Sequence, residues 1–142
     1  FGHTPLMAAA GAGRGNNPTR GAALNESARV QAVRLLHAAG ADVNARSVTG
    51  ESAVHGAAIR GASQLVEVLA SLGAQLDVAD KDGMTPIDYA LARYPLNYLE
   101  GKPVPYPETA ALLRKLGATR ETPEPPKWPD LGVPGIKAEV PR

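Results

Sequence analysis

Cysteine is absent from the 142 residues, so disulfides, thiolate metal sites and cysteine nucleophiles are excluded at once. Aromatic side chains are almost as scarce, at 4% against a hydrophobic content of 44%. The core must therefore be built from Ala, Leu and Val, and small side chains suit closely packed helices better than a sandwich that needs bulk to fill it. No apolar run approaches the roughly 20 residues needed to cross a bilayer. A dominant charge is missing too: 15 basic and 14 acidic residues leave a net +1, without the basic stripe of a nucleic-acid binder. The chain opens on Phe1 with no initiator Met, as expected of a processed chain or of a piece of a longer one. Arg outnumbers Lys ten to five and Ala is abundant, which points to a bacterial source, with a periplasmic or secreted setting favoured over the cytoplasm.

Glycine, by contrast, is plentiful and regularly placed. Thirty-three residues separate Gly50 from Gly83, Gly40-Ala41 from Gly73-Ala74, and Asn44 from Asp77. Two intervals are longer: Gly2 to Gly50 is 48 residues and Gly73 to Gly117 is 44. One 33-residue unit carrying two insertions accounts for all of them, with residues 47–79 as the uninterrupted copy. Units of this length cannot bury an apolar face alone and form linear stacks, which commonly serve as binding surfaces.

Within each unit the helix starts are marked. Thr4-Pro5 opens the first, the hydroxyl capping orphan N–H groups and the proline losing nothing at the first helical position. Ser52 caps the next, running to about Arg60, and Ser63 the one after, over Gln64–Leu72 with Leu65, Val66, Val68 and Leu69 inward. Thr85 with Asp88 three residues later forms a capping box for a helix reaching about Arg93. A helical stripe over Gln31–Ala39 carries Val33, Leu35 and Leu36, and Pro107 begins a last helix with Leu112, Leu113 and Leu116 as core. Gly40, Gly73 and Gly117 terminate second helices in the left-handed geometry glycine allows. Residues 41–51 and 74–83 read as short hairpin-like fingers, braced by Asp42, Asn44 and Asp77 through side-chain to backbone bonds. The polar stretch 14–28 is one insertion and the proline-bearing stretch 95–105 the other. From Thr119 onward six of 24 residues are proline, so the tail is extended rather than helical.

These residues resemble the ankyrin repeat. Its Thr-Pro-Leu-His helix start appears as Thr4-Pro5-Leu6-Met7, Ser52-Ala53-Val54-His55 and Thr85-Pro86-Ile87-Asp88, and its Gly-Ala-Asp-Val-Asn-Ala finger as Gly40-Ala41-Asp42-Val43-Asn44-Ala45 and Gly73-Ala74-Gln75-Leu76-Asp77-Val78. The resemblance covers residues 1–118 and implies an all-α solenoid of three repeats, about 1–46, 47–79 and 80–118, followed by the extended tail 119–142. Repeat one lacks its leading finger strand, so further repeats or a partner upstream are expected. Both insertions fall between first and second helices, on the edge that in this family lies opposite the fingers.

The resemblance also implies a concave face made by finger tips and first helices. Repeat one contributes His3 and Ala12 to it, repeat two Val48, Thr49, Glu51, Ile59 and Arg60, and repeat three Lys81, Asp82, Met84 and Arg93. The pair Ile59-Arg60 stands out, since apolar anchors and arginines are enriched in binding hot spots. Tyr89, Tyr94, Tyr98 and Tyr106 all lie in repeat three or its insertion. Tyrosine offers contact area at low entropic cost, so Tyr94, Tyr98 and Tyr106 are candidate contacts, although they could equally tack the loop onto the stack, with Tyr89 as helix packing. Trp128, in the tail, could dock on the last repeat or on a neighbour.

Catalytic and metal readings find little support. His55 stands where the family's histidine makes a hydrogen bond at the helix start, and His3 and His37 have no acidic or histidine partner at ligand spacing. Gly11-Ala12-Gly13-Arg14-Gly15 lacks the strand and Lys-Ser/Thr of a phosphate loop. Trp128-Pro129-Asp130 is similar to the acid loop of tyrosine phosphatases, whose chemistry needs a cysteine. No nucleophile–base pair appears at working spacing. The expectation is a non-enzymatic protein-interaction module without cofactor or metal, binding a protein partner and neither nucleic acid nor membrane. The alternative is a structural subunit of a larger assembly whose loops and tail are permanent contacts.

Overall fold

A computed structural model describes residues 2–12, 25–93 and 104–122. Among the described residues there are six helices: α1 (Pro5–Ala10), α2 (Glu26–Ala38), α3 (Ala53–Ile59), α4 (Ser63–Ser71), α5 (Pro86–Ala90) and α6 (Pro107–Lys115). They form three pairs. The first helices α1, α3 and α5 pack in sequence as one layer, and the second helices α2, α4 and α6 as another. No strand occurs among the described residues.

Local chemistry sets the helix starts. The Thr4 hydroxyl accepts from the Met7 N–H at 3.2 Å, with Pro5 in the first turn. At α5 the Asp88 carboxylate accepts from the Thr85 N–H and hydroxyl, both at 2.9 Å, as the capping box requires. At α3 the N3 position is His55, and its Nδ1 accepts the Ser52 N–H at 3.0 Å. With Nδ1 accepting, the ring proton sits on Nε2, which donates to the Met84 carbonyl of the next repeat at 3.1 Å. One imidazole thus caps its own helix and joins repeat two to repeat three. Burial pushes the His55 pKa below its ordinary value, outweighing the Met84 carbonyl and the nearby acids Asp80 and Glu51. The ring is neutral, and its role is structural, as expected.

The core runs through the stack along Leu6, Met7, Val33, Val54, Leu65, Leu69, Ile87 and Leu113, all essentially fully buried. Alanine fills the narrow space between first helices: Ala10, Ala53, Ala57, Ala58 and Ala90 are all at zero exposure. Tightest is Gly56, where an added Cβ would lie 2.2 Å from the Ala12 nitrogen of repeat one. A mid-helix glycine costs about 1 kcal/mol relative to alanine; here it lets two backbones meet.

The fingers are turns without a ladder. In repeat two the Gly50 N–H donates to the Ser47 carbonyl at 2.9 Å, and the Ser47 N–H to the Glu51 carbonyl at 2.9 Å. Repeat three reproduces this with Gly83 to Asp80 at 3.1 Å and Asp80 to Met84 at 2.9 Å. Gly50 and Gly83 sit at φ +84° and +81°, where L side chains are strained. Adjacent fingers join through Lys81 N–H to the Thr49 carbonyl at 3.0 Å. The bracing residues act between repeats as well as within them. Asn44 accepts the Gln75 N–H at 2.8 Å and donates to the Gly73 carbonyl at 3.1 Å. Its counterpart Asp77 accepts from the Thr119 and Arg120 N–H groups at 2.8 and 2.9 Å. Asp42 accepts from the Asn44 N–H at 2.8 Å, bracing its own turn.

Several boundaries differ from the sequence expectation. Helix α2 starts at Glu26, so the last residues assigned to the first insertion are helical. Asn25 supplies the cap by accepting the Ala28 N–H at 2.8 Å, and Glu26 places a carboxylate in the first turn while accepting the Leu65 N–H at 3.1 Å. Ser63 is not a cap but the first residue of α4; its hydroxyl pairs with that of Thr109 at 2.9 Å. Helix α5 ends at Ala90 rather than near Arg93, because Ala92 turns into the left-handed region at φ +58°. Leu35 and Leu116, both expected inward, are 72% and 38% exposed. Leu35 lies in the first of the described repeats, and Leu116 in the last, where it borders a cavity lined by the finger residues Gln75–Ala79. Residues 13–24 and 94–103, which hold most of both insertions, lie outside the described residues, as does the tail from 123 onward.

Candidate partner-binding surface

The finger tips are the exposed part of the expected surface. Val48 is 63% exposed, and Lys81 and Asp82 are exposed on the neighbouring tip. The Lys81–Thr49 backbone bond holds the two tips side by side. Thr49 is half-buried, its hydroxyl donating to Glu51 Oε2 at 2.9 Å.

Behind the tips lies a polar cluster whose organisation the sequence did not show. The Tyr89 hydroxyl, reaching back from α5, is 2.7 Å from Asp80 Oδ2 and 3.0 Å from Glu51 Oε1. A phenol has one hydrogen, so it stands between two carboxylates, one from each finger. His3 Nε2 approaches Glu51 Oε2 at 3.4 Å from repeat one. Burial works to raise the Glu51 pKa, but hydrogen bonds from Thr49, Tyr89 and His3 outweigh it and hold the carboxyl below its ordinary value. Burial and the two carboxylates drive the Tyr89 pKa strongly upward, so the phenol stays a donor. Its ring also meets His55 edge-on, with centroids 4.9 Å apart. Asp80 spends its other oxygen on the Asp82 and Met84 N–H groups, each at 2.9 Å, which fixes the tip of finger three. Arg46 does the same for finger two, donating to the Gly50 carbonyl at 3.0 and 3.1 Å and to the carbonyl of Ala79. Helical and turn periodicity carry no signal for these cross-repeat bonds.

Other expected contact residues are consumed by the stack. Met84 is fully buried and Glu51 is 6% exposed, so neither presents a surface to a partner; the first fills the core beneath finger three and the second is the hub of the polar cluster. Ile59 is half-buried against the core. Arg60 does not stand free beside it: its Nε donates to the Gly11 carbonyl at 3.2 Å, closing the end of α1 across the repeat boundary. Arg29 joins it there through the Ala9 carbonyl at 3.1 Å. Burial, then the Arg29 charge, lowers the Arg60 pKa. Tyr106 lies against Gly61, close enough that an added Cβ there would fall 2.3 Å from its ring, and its N–H donates to the Ala90 carbonyl at 2.6 Å. It tacks the returning chain onto the stack.

Arg93 is likewise engaged. It pairs with Glu121 at 2.9 Å and with buried Asp88 at 3.5 Å, and donates to the Thr122 carbonyl at 3.0 Å. The Thr122 N–H and hydroxyl in turn donate to Asp88 Oδ1, at 3.2 and 2.5 Å. Tyr94, Tyr98 and Trp128 lie outside the described residues. Among the described residues no cluster of His, Cys, Asp and Glu could hold a metal ion, and no helix is long and apolar enough to cross a membrane.

Paired helices, glycine-turn fingers and a histidine bridging successive repeats define a repeat stack, and its family follows from comparison with known proteins. Residues 21–100 match the family described as Ankyrin repeats (3 copies), more than half of the chain, and the chain belongs to that family. Among curated proteins it is 36% identical over 88 residues to the mouse B-cell lymphoma 3 protein homolog, covering 62% of this chain and 19% of that protein. It is 39% identical over 75 residues to mouse protein phosphatase 1 regulatory subunit 27, covering 51% of this chain and 49% of that protein. The chain thus spans about a fifth to about half of the relatives it matches. The human ASB11 ankyrin repeat domain superposes with a TM-score of 0.58 at 22% identity, covering 82% of this chain and 41% of that one; this likeness shows the fold. Both curated relatives are mouse proteins and lend nothing to a bacterial source.

Proposed function

We propose that this chain is a non-enzymatic protein-interaction module that engages its partner through the finger tips of repeats two and three, with Val48, Lys81 and Asp82 as the contact residues. The observation that carries this reading is their exposure on a rigid base. Tips held by the Tyr89–Glu51–Asp80 cluster and the Lys81–Thr49 bond lose little entropy when a partner orders them further. An apolar side chain at 63% exposure flanked by one charge of each sign offers both anchor and orientation. Membership of a family of protein-interaction modules supports the class of function, as does likeness to a protein named as a phosphatase regulatory subunit.

The test begins with affinity capture and identification of the partner, followed by binding measurements with the purified partner. The triple variant Val48→Asp, Lys81→Glu, Asp82→Lys should weaken binding by about tenfold or more, an interface truncation of over 1.4 kcal/mol. Its melting temperature should stay close to that of the parent, because Lys81 and Asp82 are exposed and Val48 is 63% exposed. Unchanged affinity would remove the tips as the site.

A further inference from the structure

A cavity of about 610 Å³ opens beside the base of finger three, within the roughly 300–1,000 Å³ typical of binding clefts. Residues 75–79 line it together with Arg46 from finger two and with Leu116, Gly117 and Arg120 beyond α6. Val48, Lys81 and Asp82 are not in this wall, so the cavity is separate from the surface proposed above. The repeat pattern makes Arg120 unusual. Counted from Gly40, Gly73 and Gly117, the third residue on is Val43, Leu76 and Arg120. Val43 is 6% exposed and Leu76 packs against the core, whereas Arg120 is exposed. Its main chain is held, the N–H by Asp77 at 2.9 Å and the carbonyl by the Thr85 hydroxyl at 3.0 Å. Its guanidinium makes no hydrogen bond or ion pair among the described residues.

Arg46 is anchored but not saturated. Its Nε and Nη2 donate to the Gly50 and Ala79 carbonyls, while Nη1 has no partner among the described residues. The acids nearby are already engaged. Asp77, the one carboxylate in the wall, accepts from the Thr119 and Arg120 N–H groups and the Thr119 hydroxyl, between 2.8 and 3.1 Å. Burial works to raise its pKa, but the Arg120 and Thr119 donors outweigh it and hold the carboxyl below its ordinary value. Glu121 pairs with Arg93 and Arg114, at 2.9 and 2.7 Å. The charge left in the cavity is positive. Two further features narrow what it suits. Leu116 is 38% exposed in the same wall. The main-chain N–H and C=O groups of Leu76, Asp77 and Val78 make no hydrogen bond among the described residues.

We infer that this cavity is a docking site for an acidic peptide segment of a protein partner. Arg120 and Nη1 of Arg46 take its carboxylates, in the planar charge-assisted pairing that guanidinium and carboxylate favour. Leu116 covers an apolar side chain of the segment. The main-chain groups of 76–78 pair with its backbone, as when an added chain lies along an unpaired edge. Inorganic phosphate would engage the arginines and leave the leucine and the main chain unused. A nucleic acid strand would find no aromatic side chain in the wall on which to stack a base.

The experiment titrates the full chain into a fluorescein-labelled hexapeptide, Thr-Glu-Thr-Leu-Thr-Glu with blocked ends, and into its glutamine-for-glutamate counterpart, by fluorescence polarisation. Alternate side chains of an extended peptide share a face, so both acids and the leucine can enter together. The acidic peptide should bind at least about tenfold more tightly than the glutamine one, and Arg120→Gln should weaken it by about tenfold. Leu116→Ser should weaken it by about threefold or more. Arg120→Gln should keep the melting temperature within about 2 °C of the parent, because its side chain holds no partner. Binding should slow hydrogen exchange at 76–78, and Val48→Asp should leave the affinity unchanged. The proposal fails if the acidic peptide does not bind, if its glutamine counterpart binds equally, or if Arg120→Gln has no effect. A loss on Val48→Asp would overturn it by moving the peptide to the finger tips. Slow exchange at 76–78 in the free chain would overturn it too, since the chain's own residues would then occupy the site. Displacement of the peptide by millimolar inorganic phosphate would reduce the cavity to a simple anion site and equally overturn it.

Discussion

Replacing His55 with alanine is expected to be among the most damaging single changes in the molecule, costing about 3–5 kcal/mol. Three losses combine. The Ser52 N–H at the start of α3 loses its acceptor, the Met84 carbonyl keeps the Asp80 N–H but loses the bond that joins it to repeat two, and the edge-on contact with Tyr89 becomes a cavity. For a domain with total stability of about 5–15 kcal/mol this is a large fraction, and urea unfolding would measure it directly. The same variant has a pH signature. His55 has a folded-state pKa below the ordinary 6.5 because burial disfavours its charged form, so just below pH 6.5 the unfolded chain binds more protons than the native one. The neutral imidazole's contribution is complete above 6.5 and is lost as the pH falls below it. Parent stability should decline on acidification from that point, and the decline should be shallower in His55→Ala. Equal slopes from pH 7 to pH 5 would show that this histidine does not carry the early acid sensitivity.

The second large effect is expected at Gly56. A valine there places Cβ 2.2 Å from the Ala12 nitrogen and 2.7 Å from its Cα. The obstacles are backbone atoms, which cannot swing aside as a side-chain tip would, so repeats one and two must separate. A loss of about 3 kcal/mol or more follows, visible as a fall of roughly 10 °C in melting temperature, with exchange accelerated first in α1 and α2. Ala8→Val is the internal control. It makes a similar enlargement at the equivalent position of repeat one, where the side chain is exposed, and should move the melting temperature by no more than about 2 °C. Similar losses at both positions would contradict the tight first-helix interface.

The two sites show where sequence and structure meet. The repeat period, the hydroxyl caps at Thr4, Ser52 and Thr85 and the turn glycines are local features, and residue type at a fixed offset revealed them. The role of His55 came from the resemblance, which places it at the histidine of the family's helix-start motif in Ser52-Ala53-Val54-His55. What the sequence could not show are contacts whose partners belong to different repeats. Tyr89 between Glu51 and Asp80, Arg60 on the Gly11 carbonyl and Asp77 under Thr119 depend on how far side chains reach once the units stack. That is why Arg60 read as a free hot-spot arginine and Met84 as a surface residue, whereas one closes a helix end and the other is core. Leu35 and Leu116 mark a related limit: helical periodicity identifies an apolar stripe without indicating whether a neighbouring repeat covers it.

Under the proposed function, this ankyrin stack is a rigid carrier of two exposed finger tips. A hydrogen-exchange footprint of the chain with its purified partner tests that most directly. Slowed exchange concentrated in residues 47–51 and 80–83 is the expected result, with α4 and α6 unchanged. Protection confined to α4, α6 or the segments 94–103 and 123–142, with both tips exchanging as in the free chain, would contradict it.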